Sequence, residues 1–332
     1  MRSAYLAGCS RLPALLLLGG LMIAVAARHR RLDLVHDPAG IALFPFHRRI
    51  SGFRSVVTIH DAISYRYPEG YPWINNFLQR HYLPAMLGHV DGVITVSRHA
   101  RADLKRFLPR LPAGEYIVPP GLSSRFLPVS EPKRHPVLAR LGLLRPYILS
   151  VGAQQERKNL RLLIRAFSLL HARLPGYQLV LAGPTLWRYV PLYEQIEQSG
   201  LAGCVIIPGY VPDADLPALY SGASLFAFPS LYEGFGIPAL EAMACGTPVV
   251  CSNTTALPET VGDAALLVDP TDAGALAAAM ERILLDPDLT AVLRQRGRER
   301  AATFTWRRAA AQTIAVYRQV LARGASAEQQ SV

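Results

Sequence analysis

Lysine is nearly missing from this chain. Its 332 residues contain three, Lys105, Lys133 and Lys158, against 32 arginines. A lysine beside an arginine in a turn therefore carries information, because lysine presents a compact charge to phosphate. Cysteine is scarce as well. Cys9, Cys204, Cys245 and Cys251 form no CxxC pair, which excludes a zinc framework and a disulfide scaffold. Three of them sit in apolar runs, as free thiols of a reducing compartment do. No apolar run reaches the ~20 residues that a spanning helix needs. The longest, Leu12 to Ala27, is interrupted by Pro13, Gly19 and Gly20. It reads first as a buried or membrane-surface helix, and otherwise as an anchor or a cleaved signal. Helix-turn-helix, zinc-finger and RNA-binding patterns are also missing, so nucleic acid is not an expected partner. No internal repeat is visible.

What the chain does hold is apolar surface: 51% of its residues are hydrophobic, enough for globular cores. Its length suits two domains. The net charge of +11 is uneven. Residues 1–145 carry 20 basic and 8 acidic side chains, and residues 146–332 carry 15 and 16. A basic first half fits either solvated arginines or an anionic partner such as phosphates or an acidic membrane surface. The expected location is cytoplasmic, with peripheral docking on the inner face of the membrane.

Short Val/Ile/Leu strands alternate with helical stretches, the pattern of a parallel α/β architecture. "LDLVHD" and "SVVTIHD" read as strands that each end on His-Asp. "DGVITVSRHARADLKRFL" reads as a strand, a Ser97 cap and a helix. The Pro- and Ser-rich stretch from Pro119 to Pro136 reads as a linker. Beyond it, "PYILSVGAQQERKNLRLLIRAFSLL" gives a strand over Tyr147–Val151, a turn at Gly152 and a helix capped by Asn159. "YQLVLAGP" gives a strand that ends at Gly183. The expected organisation is an apolar helix over residues 1–31, a first Rossmann-like domain over 32–136, a second over 137–303, and a final helix over 304–324. Two doubly wound domains would then face each other across a cleft, with ligands beyond the carboxyl ends of the strands.

"FPSLYEGFGIPALEAMACGTPVV" concentrates the chemistry. A buried strand leads into a glycine turn, and Pro238 and Gly246 bracket a helix of about Ile237–Cys245. The N-terminus of that helix offers free backbone N–H groups to an anion, and Gly234 and Gly236 let the backbone approach it. Glu233 lies beside this seat and Glu241 lies deeper along the helix. Carboxylates repel a diphosphate but pair well with sugar hydroxyls. A nucleotide sugar has hydroxyls at both ends and a diphosphate between them. "QQERKN" adds Arg157 and Lys158 in the turn after the first strand of the second domain. The plainer alternative is a capped, solvated helix beside a basic turn.

The segment "SLYEGFGIPALEAMACGTPVV" resembles the E-x7-E signature of the retaining GT-B glycosyltransferases, in particular family 4. "VGAQQERKNL", "GYVPDADLPALYSGASLFAFPS" and "CSNTTALPETVGDAALLVDP" are similar to the same family. The likeness runs from Tyr147 to Trp306, with a looser match through "DLVHDP", "VVTIHDAISYRYPEGYP" and "VITVSRHARADL". The resemblance implies that Glu233 contacts the transferred sugar and that Glu241 contacts the ribose. Arg157 and Lys158 would hold the diphosphate, with the amides of Gly234, Phe235 and Gly236 completing its seat. Gly152 and Gly183 would border the donor, and Tyr210-Val211 would flank the base. His60 would lie by the sugar, oriented by Asp61 unless that acid only caps the next turn. The two cations would stabilise the leaving group, so no metal or other cofactor is expected. "DAD" at Asp213–Asp215 reads as a helix cap rather than a metal motif. The partners would be a nucleotide-sugar donor and a glycan or lipid-linked acceptor, with a mannosyl-like hexose transferred in cell-surface polysaccharide synthesis.

One departure stands out. The family opens with a strand and a glycine-rich turn, and nothing before Leu32 supplies them, so the first domain is expected to be shortened. The alternative function is a degenerate, non-catalytic relative that binds nucleotide sugar or a partner. An epimerase or phosphorylase of the same fold is disfavoured by the E-x7-E spacing.

Overall fold

The structure is a computed structural model that describes residues 25–38, 40, 52–70, 73–108, 111–112, 114–131, 135–143, 146–184 and 190–329. Most of the apolar N-terminal run, together with its Gly19-Gly20 pair and Cys9, lies outside these residues. Among the described residues no helix is long and apolar enough to cross a membrane. The chain divides into two compact units. One comprises residues 1–119 and 310–332, and the other comprises residues 120–309.

The first unit holds a four-stranded sheet of β1 (Leu34–Asp37), β2 (Arg54–Ile59), β3 (Gly92–Thr95) and β4 (Glu115–Ile117), ordered β1-β2-β3-β4. Every pair in it is parallel. β2 and β3 are short apolar runs because a parallel sheet is covered on both faces. Val57, Ile59 and Val93 pack with Leu83, Met86, Leu87 and Leu104 into one core. At about 1.5–3 kcal/mol for each large apolar side chain removed from water, such contacts are the main favourable contribution to this sheet. Ser97 caps helix α1 (Arg98–Phe107) as the sequence suggested, its hydroxyl accepting the Ala100 N–H at 2.9 Å. The last helix of the chain also contributes to this unit. Val320 fits over Gly92, where a Cβ would lie 3.0 Å from its Cγ2. Tyr317 OH is 2.7 Å from His36 Nδ1.

The second unit has six strands: β5 (Tyr147–Val151), β6 (Gln178–Ala182), β7 (Val205–Gly209), β8 (Leu225–Phe228), β9 (Val249–Ser252) and β10 (Ala265–Val268). Their order is β10-β9-β8-β5-β6-β7, and all pairs are parallel. Beyond the short helix Pro136–Arg140, the helices are α2 (Leu160–His171), α3 (Val190–Gln198), α4 (Leu216–Gly222), α5 (Ile237–Ala244), α6 (Leu257–Val261), α7 (Ala273–Leu285), α8 (Pro287–Ala302) and α9 (Trp306–Gln329). The last of these runs on into the first unit. Leu160, Leu163, Ile164, Phe167 and Leu170 of α2 are buried against β5, β6, β8 and α7. This is the spacing of an amphipathic helix.

The strand order reverses between β5 and β8, which makes the crevice beyond their carboxyl ends the topological switch point. Two expected caps behave differently here. Asn159 occupies the N-cap position of α2 in a left-handed conformation (φ 57°), but its side chain makes no cap. Its amide donates instead to the carbonyls of Pro229 (3.1 Å) and Pro270 (2.7 Å). Two carbonyls in the exits of β8 and β10 thereby gain a donor, and unmet buried carbonyls are costly. Asp215 sits at the N-cap position of α4 without capping it. Its carboxylate pairs with Arg140, and Asp213 pairs with Arg125 at 3.1 Å. Pro217, in the second helical position, removes one N–H that a cap would have met.

Candidate active site

The turn after β5 and the turn after β8 flank the switch point, and each delivers charge. In the first, Gly152 takes φ +146°, and a Cβ there would lie 3.2 Å from Lys158 Cε. A single turn of 3-10 helix, Glu156–Lys158, then aims both cations at the second turn. Lys158 Nζ lies 2.7 Å from Glu233 Oε1 and Arg157 Nη1 lies 3.0 Å from that same oxygen. Arg157 also donates to the Tyr232 carbonyl at 3.2 Å and, through Nε, to Gln155 Oε1 at 2.9 Å. The Leu231 N–H returns a bond to the Arg157 carbonyl at 2.7 Å.

Lys158 and Glu233 are each only 8% exposed, and Lys158 Nζ stands 4.6 Å from the centroid of the Phe228 ring, which favours a cation. Burial lowers the Lys158 pKa, Glu233 opposes that shift and Arg157 reinforces it. Two cations thus share one carboxylate in a poorly hydrated place, leaving one positive charge in excess. Buried ion pairs of this kind are weak sources of stability and frequent marks of a functional site.

Gly236 takes φ +102° at the N-cap of α5, with Pro238 in the first turn. A Cβ on it would come within 2.6 Å of Leu257. One turn along α5, Glu241 accepts the Tyr220 hydroxyl on Oε2 at 2.9 Å. Its Oε1 has no hydrogen bond among the described residues. Burial raises the Glu241 pKa, the Tyr220 bond lowers it, and Asp213 adds a further upward push. Tyr220 is wholly buried, which pushes its own pKa well up.

The remaining expected residues fall as follows. Gly183 (φ +142°) meets Gly152, and a Cβ on it would come within 2.1 Å of the Gly152 carbonyl oxygen. Close backbone packing therefore already requires this glycine. Tyr210 and Val211 follow β7, the first 68% exposed and the second buried. His60 belongs to the first unit, exposed at the end of β2. Its Nε2 is 2.9 Å from the Pro38 carbonyl, so that nitrogen carries the proton. Asp61 accepts the Ile63 N–H at 3.0 Å and so closes the next turn. Sequence reasoning missed Phe228 under the lysine, Tyr220 on Glu241, and Thr255, whose hydroxyl accepts the Glu233 N–H at 3.3 Å.

A family model for glycosyl transferases group 1 matches residues 141–300, and one for glycosyltransferase family 4 matches residues 3–124. The O-antigen chain mannosyltransferase B of Escherichia coli is 38% identical over 269 residues, which cover 80% of this chain and 70% of that one. This chain belongs to the group 1, family 4 glycosyltransferases. The fold of these glycosyltransferases recurs in the sucrose-phosphate synthase of Thermosynechococcus elongatus. That structure is 29% identical with a TM-score of 0.73, over 94% of this chain and 80% of its own. HepE from Anabaena, solved with UDP and glucose, shares the fold at 20% identity and a TM-score of 0.73, over 92% of this chain and 81% of its own. The chain is therefore a GT-B glycosyltransferase built from two parallel-sheet α/β domains.

Proposed function

We propose that the switch-point site of the second unit binds a nucleoside-diphosphate hexose, with mannose as the sugar. The hexosyl group is transferred with retention to a hydroxyl of a glycan or lipid-linked acceptor, in the synthesis of a cell-surface polysaccharide. The observation that carries this reading is the convergence of Arg157 and Lys158 on one oxygen of Glu233, with a positive charge left over at the carboxyl ends of β5 and β8. The sugar and its purpose are suggested by the relative named for O-antigen mannosyl transfer.

In this reading the bond from the anomeric carbon to the diphosphate breaks and its electron pair leaves with the nucleotide, while the acceptor oxygen bonds to that carbon and gives its proton to the departing diphosphate. Arg157 and Lys158 neutralise the charge that builds there, and the amides of Gly234, Phe235 and Gly236 at the start of α5 seat the same phosphates. Those groups do the electrostatic work, so the reading needs no metal. Once the cations turn to phosphate, Glu233 accepts from a sugar hydroxyl. Glu241 Oε1, which has no hydrogen bond among the described residues, accepts from the ribose. Gly152 and Gly183 border the donor, and Tyr210 and Val211 flank its base. For His60, a contact with the transferred sugar rests on the family likeness alone. A second partner is an anionic membrane surface. Residues 1–145 carry the chain's excess of basic side chains. Trp73 and Phe77, one turn apart, are 62% and 48% exposed, and no acid lies between Trp73 and Tyr82.

The test is nucleotide release from UDP-, GDP- and ADP-hexoses by the purified chain, beside Lys158→Ala. Turnover of a GDP-hexose, lowered about 100-fold or more in the variant, is expected from loss of one charge at the leaving group. Absence of both binding and turnover across the panel overturns the reading. Flotation with vesicles that ignores lipid charge would remove the membrane partner.

A further inference from the structure

Among the described residues, four other than glycine have positive φ: Arg31, Glu131, Asn159 and Thr255. Asparagine tolerates this region, and Thr255 alone among the four is β-branched, the type least suited to it. It sits at φ 59° in the turn between β9 and α6. A strained residue persists only where its surroundings hold it, and such residues gather at functional sites.

What this turn holds is the backbone of Glu233. The Thr255 hydroxyl accepts the Glu233 N–H at 3.3 Å, and the next residue, Ala256, donates its N–H to the Glu233 carbonyl at 3.4 Å. Both polar groups of the Glu233 backbone are therefore met by two consecutive residues of one turn. Glu233 itself lies in a segment with no helix or strand, between β8 and α5. Its carboxylate is held by Arg157 and Lys158. A bound diphosphate would draw those cations away, and the Thr255 turn would then be the restraint left to aim the acid.

We infer that Thr255 is a positioning residue for the transfer reaction, fixing Glu233 against the donor sugar through its hydroxyl at the cost of local strain. The inference rests on the reading of Glu233 as a sugar-contacting acid. The hydroxyl should matter to turnover, not to the grip on phosphate, because the cations stand on a different turn.

The experiment compares Thr255→Ser, Thr255→Ala and Thr255→Gly with the wild type and with Glu233→Gln. It measures kcat on GDP-mannose, or on whichever hexose of the UDP, GDP and ADP panel the wild type turns over. Dissociation constants for the matching nucleoside diphosphate and melting temperatures are measured beside it. Alanine and glycine should lower kcat by about tenfold, the scale of one lost hydrogen bond. Serine should stay within about threefold of the wild type. Nucleoside-diphosphate affinity should change by less than about threefold across the three Thr255 variants. The glycine variant should melt no lower than the wild type, since glycine accepts positive φ without strain. Wild-type kcat in the alanine and glycine variants overturns the inference. So does a serine variant as slow as alanine, or a kcat that simply follows melting temperature or phosphate affinity. Should Glu233→Gln keep full turnover, or the wild type turn over nothing, the reading of the site fails first.

Discussion

Lys158 Nζ stands 2.7 Å from Glu233 Oε1, and the same oxygen takes a second bond from Arg157 at 3.0 Å. On the proposed reading, the acid thereby occupies the charges that a diphosphate would use. At low effective dielectric such contacts are strong, so a phosphate ligand must displace Glu233 before it gains the full pull of both cations.

Glu233→Gln should therefore bind nucleoside diphosphate more tightly than the wild type, by about fivefold (about 1 kcal/mol). Its kcat should nevertheless fall by about 100-fold, because the amide aims no charge at the sugar. Titration calorimetry beside a turnover assay checks both signs. Weaker diphosphate binding in the variant would mean that the acid helps to hold phosphate and does not compete with it.

Glu241 should make stability fall with rising pH. Burial, the largest influence, raises its pKa above the ordinary 4.5. The folded state then holds this proton more tightly than the unfolded chain does. The contribution is complete below about pH 4.5 and is lost as pH rises through the raised folded value, by up to about 1.4 kcal/mol per pH unit inside that window. Glu241→Gln keeps an acceptor for the Tyr220 hydroxyl and cannot ionise. Denaturant melts from pH 4 to 8 should show the variant gaining on the wild type as pH increases. A constant difference would sink the assignment.

Gly183→Ala should destabilise the second unit by about 3 kcal/mol or more. A methyl group there would lie 2.1 Å from the Gly152 carbonyl oxygen, at a φ of +142°. Gly176→Ala is the control, as nothing stands within 4 Å of that position. Melting temperatures decide it: equal values for the two variants would mean that the turns after β5 and β6 can separate freely.

Much of this was legible in the sequence, for reasons that differ by element. α2 announced itself through its buried face at 160, 163, 164, 167 and 170, a local periodicity that needs no tertiary knowledge. β5 and β8 were readable as apolar runs that break at glycine or proline, and the parallel class followed from their alternation with helices. The pairing of Glu233 with Arg157 and Lys158 was not readable, because those residues are more than seventy positions apart and their contact depends on β5 lying beside β8. Asn159 had the residue type and position of a cap, yet two distant proline carbonyls offered its amide a better use. Thr255 gave no signal at all. The role inferred for it rests on a hydroxyl contact with a distant backbone and on a conformation that threonine seldom adopts, and composition shows neither.

The two units differ in when their chain becomes available. Residues 120–309 form one uninterrupted stretch, so the second sheet can close while translation continues. The first sheet awaits Tyr317 and Val320, which leave the ribosome some two hundred residues after β4 does. The half of the molecule that is made first is therefore the half that is completed last.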